Sequence, residues 1–278
     1  MKAGLLQPNL PTASEAKTAS PVLELSVIVP CLNEEANVEE LVARVKRVFA
    51  AEPLRRRGGA ELILVDDGST DATWERLSKS SEIESFVVAR RHSKNLGIPA
   101  AWRTGVTAAR GRLVCVLDAD MQYQPEDILR LYQALSSSAA AIAQGWRSPV
   151  ERERRARYWI SRGCNLMLNR AFGMNLRDNK SGFILCSREV FADLLGYAGN
   201  YHYWQIFIMA AAQAKGYDCA QIETRFLPRR AGKSFLDDVP VRVMLRACRD
   251  FCRAVVEYRL GVNARKRRSD FSNHLIKR

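Results

Sequence analysis

Four short apolar runs, Ser26–Val29, Leu62–Val65, Phe86–Val88 and Leu113–Leu117, are each followed by a stretch with helical spacing. The runs scarcely alternate between polar and apolar residues. A strand with one solvated face would alternate, so these read as strands buried on both faces. Behind Pro30, Asn33 is placed to cap a helix whose apolar positions are Val38, Leu41, Val42, Val45 and Val48. Behind Asp66-Asp67-Gly68-Ser69, Asp71 is placed to cap a helix through Trp74 and Leu77. Further helices are predicted from Gly97 to Ala109 and, after Pro125, through Ile128, Leu131 and Leu135, with a fifth strand near Ala140–Ala143. Alternating strands and helices predict an α/β domain with a mostly parallel sheet flanked by helices. A charged stretch from Arg147 to Arg157 breaks the pattern. Beyond it, helices are predicted near 158–171, 188–195, 203–215 and 240–260, and strands near 183–186 and 219–224.

Acids stand where two of these strands end. Asp66-Asp67 follows the second, and Asp118 and Asp120, with Gln122, follow the fourth. In an open α/β sheet, ligands bind beyond the carboxyl ends of the strands, so both pairs point to one rim. Two carboxylates and an amide oxygen are hard ligands that suit Mg²⁺ or Mn²⁺ with a substrate diphosphate. Asp is also common in turns and caps, and that plainer reading applies to any one of these residues alone.

The acids contrast with the rest of the chain, whose formal net charge is +13 over 278 residues. From Arg225 to Arg278 there are 15 Lys and Arg against 5 Asp and Glu, so 10 of those charges fall in the last fifth. Such a region suits phosphates on a substrate, a lipid head group or nucleic acid. RNA-binding sheets interleave aromatic and basic residues, a pattern missing here, so no nucleic-acid partner is expected. The seven cysteines form no C-x-x-C pair and read as reduced, not as a disulfide frame or zinc site. Residues 1–22, rich in Pro, Ser, Thr and Ala, are expected to be a disordered lead-in and not a signal peptide. No apolar run nears the ~20 residues of a membrane span, the best candidate being Tyr203–Ala214. The expectation is a cytoplasmic protein that touches a membrane peripherally at its inner face.

The segments "PCLNEE", "LVDDGSTD", "HSKNLG" and "LDADMQYQPED" occur in that order at the strand ends, and "YWISRGCNLML", "LRDNKSGFILCSREVF" and "PRRAGKS" follow them. Together they resemble glycosyltransferase family 2, with the GT-A fold, and within it the polyprenyl-phosphate branch typified by dolichyl-phosphate mannosyltransferase. The resemblance runs from about Leu25 to about Leu236. It implies a metal-dependent inverting transferase of the bacterial cell envelope. The donor would be a nucleotide-diphosphate sugar and the acceptor a polyprenyl phosphate. By the same resemblance, Pro30, Asn33 and Glu34 border the nucleotide, Asp67 with Asp66 bonds the base, and Asp118 lies near ribose and metal. Asp120 and Gln122 hold the Mg²⁺ or Mn²⁺. Arg157, Arg177 and Ser181 would hold the acceptor phosphate, and Arg229 and Ser234 the diphosphate. Leu32 departs from the aromatic common at its position, and Phe235 from the Lys common after "GKS". The implied division is a GT-A domain over 23–236, with a nucleotide half (23–146) and an acceptor half (147–236). A basic amphipathic helical extension follows over 237–278.

Asp178 falls where inverting relatives place an acid near the acceptor. A hydroxyl acceptor needs a general base, whereas an ionised phosphate does not. Asp178 is therefore a base for a hydroxyl, an orienting group for a phosphate, or a plain partner of nearby cations. A soluble or polysaccharide acceptor, or a nucleotidyltransferase on a similar sheet, are the competing functions, although the first strand lacks the Gly-rich, Lys-containing phosphate loop of the latter. In the last helix Arg242, Arg246, Arg249 and Arg253 line one face and Met244, Leu245, Cys248, Phe251, Cys252, Val255 and Val256 another. That helix either packs on the core or lies on an anionic membrane surface. Homo-oligomerisation stays open.

Overall fold

The computed structural model describes residues 23–148, 155–196, 201, 203–228 and 241–259. The 1–22 lead-in, residues 149–154 of the charged stretch, Arg229, Arg230, Lys233, Ser234, Phe235 and the tail from residue 260 lie outside them. Strands β1 (Leu25–Cys31), β2 (Ala60–Asp66), β3 (Val87–Arg91) and β4 (Leu113–Val116) alternate with helices α1 (Val38–Phe49), α2 (Glu52–Arg56), α3 (Thr73–Ile83) and α4 (Ile98–Ala108). Then come α5 (Asp127–Ser136), β5 (Ile142–Arg147), α6 (Arg155–Phe172), β6 (Ile184–Ser187), α7 (Arg188–Leu195), α8 (Ile208–Lys215), β7 (Cys219–Thr224) and α9 (Val241–Ala254). A π-helical turn, Val255–Arg259, extends α9.

The seven strands form one sheet in the order β3-β2-β1-β4-β6-β5-β7. Only β6 runs against its neighbours; every other pairing is parallel. The continuous runs have the cause read from the sequence, because both sheet faces are covered. In β1, Ile28 joins Trp102, Val116 and Phe191 on one side, while Val27 and Val29 join Leu41, Val45 and Ile128 on the other. All five predicted apolar positions of α1 are buried.

Several local expectations change. Asn33 does not cap α1; Asn37 stands at that position, and Asn33 has φ 55° and lies in the loop before it. Its side-chain oxygen instead receives the Thr70 amide of another loop at 2.9 Å. Asp71 does serve the start of α3, accepting the Thr73 amide at 3.0 Å. Helix α2 escaped the sequence reading because it is too short for a period, with Leu54 its one buried residue. The 203–215 segment opens with a 3₁₀ turn, Trp204–Ile206, before α8.

The last helix packs on the core. Asp250, fully buried, accepts the Tyr203 amide at 2.9 Å, and Trp204 Nε1 donates to Tyr258 Oη at 3.1 Å. Phe251 meets Phe172 edge-on at 6.1 Å, Tyr258 stacks on Tyr201, and Ala254 is fully buried. No described helix is long and apolar enough to cross a membrane.

Candidate active site

The parallel pairing brings the carboxyl ends of β1, β2, β4, β5 and β7 to one rim, and the switch in strand order falls between β1 and β4. The two non-glycine residues with positive φ among the described residues, Asn33 and Met121 at 60°, lie in the loops leaving those two strands. Strained backbone of this kind concentrates where a site over-determines it.

The loops after β1 and β2 are stitched together. The Asn33 amide donates to Ser69 Oγ (3.0 Å), the Glu34 amide to Thr73 Oγ1 (2.8 Å), and the Ala72 amide to Glu35 Oε2 (3.0 Å). Asp66, fully buried, accepts the Ser69 amide at 2.9 Å and pairs with Arg91 at 3.1 Å. Asp67 accepts the amides of Leu96 (2.9 Å) and Gly97 (2.8 Å) and His92 Nδ1 at 2.7 Å, so both its oxygens are engaged. His92 Nε2 meets Thr104 Oγ1 at 2.8 Å. Asp67 is thus an organiser of the "HSKNLG" loop, which crosses Gly68 so closely that a Cβ there would lie 2.4 Å from the Lys94 carbonyl carbon.

At the end of β4, Asp118 is half-buried and Asp120 buried. Asp120 Oδ1 accepts the Gln122 amide at 3.1 Å. Gln122 is held by Leu227 in both directions: its Nε2 donates to the Leu227 oxygen (3.1 Å), and its own backbone oxygen accepts the Leu227 amide (2.9 Å). That anchoring leaves the side-chain oxygen of Gln122 without a hydrogen bond among the described residues. No group of three His, Cys, Asp or Glu side chains gathers to hold an ion among the described residues. Two carboxylates with an oriented amide oxygen fit Mg²⁺ or Mn²⁺, which take further oxygens from water and phosphate.

Across the rim, Arg147 at the end of β5 grips Asp178 with two hydrogen bonds, Nε at 2.6 Å and Nη2 at 3.0 Å. The Lys180 amide adds a bond to Asp178 at 3.2 Å. Burial pushes the Asp178 carboxyl up, but the Arg147 bonds and charge, with Lys180, outweigh it and hold the group below the usual carboxylate range. Burial opposes the charge of Arg147, but Tyr123, Asp178 and Asp118 together outweigh it and hold the guanidinium pKa above its ordinary range. Arg177 is exposed and lies 4.9 Å from the Trp146 ring. Ser181, by contrast, is buried at 1% exposure. Its hydroxyl lies 2.7 Å from Tyr123 Oη, donates to the Gly145 oxygen (2.5 Å) and accepts the Phe183 amide (3.3 Å). In this structure that hydroxyl is engaged within the core. Arg157 lies on the first turn of α6, and Pro30 near the end of β1.

Sequence reading passed over Arg147, which it took only as the start of a charged stretch. A cation at the carboxyl end of a strand beside the acids was the available signal. It also passed over the asparagines that carry the 176–180 loop. Asn165 Nδ2 donates to the oxygens of Leu176 (2.9 Å) and Arg177 (3.0 Å), and Asn169 Nδ2 to that of Leu176 (2.8 Å).

A mostly parallel seven-stranded sheet with acids at its switch point is the GT-A arrangement. The fold resembles that of glucosyl-3-phosphoglycerate synthase from Mycobacterium tuberculosis in complex with Mn²⁺, UDP and glucosyl-3-phosphoglycerate, with a TM-score of 0.60 at 20% identity over 92% of this chain and 86% of that one. The chain belongs to glycosyl transferase family 2, whose family model matches residues 26–195. It is 37% identical over 157 residues to a dodecaprenyl-phosphate galacturonate synthase of Rhizobium johnstonii, covering 56% of this chain and 45% of that protein. It is 35% identical over 175 residues to a dolichol-phosphate mannosyltransferase of Pyrococcus furiosus, covering 60% and 47%. These relatives are polyprenyl-phosphate glycosyltransferases, and the chain spans less than half the length of each.

Proposed function

We propose that this enzyme moves a sugar from a nucleotide-diphosphate donor to the phosphate of a polyprenyl phosphate, with inversion at the sugar carbon. The observation that carries the acceptor class is the Arg147–Asp178 pair. A carboxylate locked in a two-point ion pair and held ionised is a poor base. A phosphate acceptor needs none, because its oxygen is already charged near neutral pH. That oxygen attacks the anomeric carbon as the bond from that carbon to the diphosphate breaks, and the electron pair leaves with the nucleotide. Single displacement inverts the centre. Asp178 orients Arg147, which with Arg157 and Arg177 meets the acceptor phosphate; Arg forks suit phosphate oxygens.

On the donor side, Pro30, Asn33 and Glu34 border the nucleotide, and Asp66 and Asp67 act through the loops they hold. Asp118, Asp120 and Gln122 would hold Mg²⁺ or Mn²⁺, which when bound neutralises charge on the departing diphosphate. Arg229 and Ser234 are proposed for the same diphosphate. The M. tuberculosis synthase has also been crystallised with Mn²⁺, UDP and phosphoglyceric acid, which supports a divalent ion beside a nucleotide in this fold. The enzyme works at the cytoplasmic face of a membrane, as a peripheral protein. The test is nucleotide release from a panel of UDP- and GDP-sugars with Mn²⁺, with and without a polyprenyl phosphate. Release that depends on the lipid phosphate supports the reading. Release driven instead by a sugar hydroxyl sinks the acceptor class, and pyrophosphate release from a nucleoside triphosphate would move the protein to another class.

A further inference from the structure

We propose that Gln144 and Gln221 are positioning residues for the transfer, a two-amide clamp that holds both ends of the loop 177–181 where the acceptor is received. The inference deepens the reading of an acceptor side built on that loop, and it rests on that reading. Gln144 lies in β5 beside Ile142, Ala143 and Gly145 and is fully buried. A buried amide costs stability unless its donors and its acceptor are met. Gln221 is its direct partner in the parallel β5–β7 pairing, so the two side chains leave the same face of the sheet. There Gln221 Nε2 donates to Gln144 Oε1 at 2.7 Å.

The pair ends on backbone at both sides. Gln221 Oε1 accepts the Arg177 amide at 2.8 Å, and Gln144 Nε2 donates to the Ser181 carbonyl oxygen at 2.9 Å. An N–H at one end and a carbonyl at the other fix the direction of the whole series. Neither side-chain amide can turn over without setting donor against donor or acceptor against acceptor. Between the two held ends stand the exposed Arg177 side chain and Asp178. Arg147, on the same strand as Gln144, grips Asp178 at 2.6 and 3.0 Å. One strand thus sets both an end of the loop and its carboxylate.

This support is separate from that of α6. From the helix side, Asn165 and Asn169 take the carbonyl oxygens of Leu176 and Arg177, and Asn165 Oδ1 accepts the Asn179 amide at 2.8 Å. From the sheet side, the glutamines take the Arg177 amide and the Ser181 oxygen. Ser181 also reaches the donor side, because its hydroxyl lies 2.7 Å from Oη of Tyr123, the residue after Gln122. Stability alone does not call for two linked amides at this place, since matched polar partners are worth little net. What the pair supplies is a fixed placement of Arg177 and Asp178 relative to the sheet rim.

The experiment compares wild type with Gln221→Met, Gln144→Met, the double variant and Gln221→Glu, each checked by circular dichroism and melting. Nucleotide release is measured with the donor and a short, water-soluble polyprenyl phosphate varied in turn. Gln221→Met should raise the acceptor KM about 3- to 10-fold, the value of one hydrogen bond, and leave the donor KM within about twofold. Hydrogen exchange at the Arg177 amide should quicken by a similar factor. Gln144→Met breaks the same series at its middle, so the double variant should match it and not add to it. Gln221→Glu keeps an acceptor oxygen for the Arg177 amide and should restore its protection. An unchanged acceptor KM in Gln221→Met, a donor KM that rises in step with it, or Arg177 exchange as fast in Gln221→Glu as in Gln221→Met would each overturn the proposal. Should Gln144→Met fail to fold, Gln221, half-buried on the edge strand, still decides. Exchange over 177–181 needs no acceptor. A protein whose loop loosens as expected but that ignores the lipid phosphate would keep the clamp and sink the acceptor reading alone.

Discussion

Asp178→Asn separates an orienting carboxylate from a general base. Asparagine keeps one oxygen for Arg147 Nε but turns an amide N–H toward Nη2, where two donors then face each other. Breaking one side of a buried ion pair costs about 3–5 kcal/mol. Here 31% of the Arg147 side chain still meets solvent, and screening lowers the expected loss to about 2 kcal/mol. In a domain of this size that is a fall of about 4–8 °C in melting temperature. Because the folded-state pKa of Asp178 lies below its unfolded value, the pair's stabilisation is present above the unfolded carboxylate range and is lost as pH falls through the folded value. The gap between wild type and variant should thus be constant from about pH 6 to pH 8 and close only in acid, below about pH 4. Turnover should fall less than about tenfold, with the acceptor KM rising, since the loss of a general base would cost about 10²–10⁴. Thermal melts across pH and steady-state kinetics with the lipid phosphate measure both. A variant that melts like wild type and binds donor normally, yet turns over a thousandfold more slowly, would refute the argument. It would make Asp178 a base and the acceptor a hydroxyl.

Asp120→Ala should leave the melt of the free protein nearly unchanged but remove the Mn²⁺-dependent rise in melting temperature given by the nucleotide diphosphate, since a ligand stabilises only in proportion to its binding. Gly68→Ala forces both a φ of 78° and a Cβ into the Lys94 backbone, an expected strain of about 1–3 kcal/mol. Its mark would be faster amide exchange over residues 92–97 and a higher donor KM, with the core amides unaltered. Trp102→Ala empties a site between Phe191 and Trp204 and should cost about 3–5 kcal/mol in denaturant unfolding.

Local pattern made part of this protein legible. Continuous apolar runs follow from a sheet covered on both faces, and the α1 stripe follows from a helix lying on that sheet, so both were readable from spacing. The acids at the carboxyl ends of β2 and β4 were readable too, because in a mostly parallel sheet all such ends share a rim. Where a position gains its meaning from a distant partner, spacing was silent. Asn33 looked like a cap because Asn next to a helical pattern commonly is one. Its oxygen instead meets Thr70, brought beside it by the β1–β2 pairing.

The order of strand and helix, the burial of the runs, the family motifs and the acids at the ends of the strands were determined by the sequence alone, since each depends on residues near one another in the chain. Tertiary structure alone decided which functional groups are already engaged. It closed both oxygens of Asp67 with donors 25 to 30 residues downstream, turned the Ser181 hydroxyl to the core, and locked Asp178 to Arg147 across 31 positions. It also laid the arginine helix on the core by one face while leaving its apolar line outside. The reason is physical: the chemistry of a carboxylate, hydroxyl or guanidinium is set by the donors and charges within a few ångströms, and in this fold those come from distant strands.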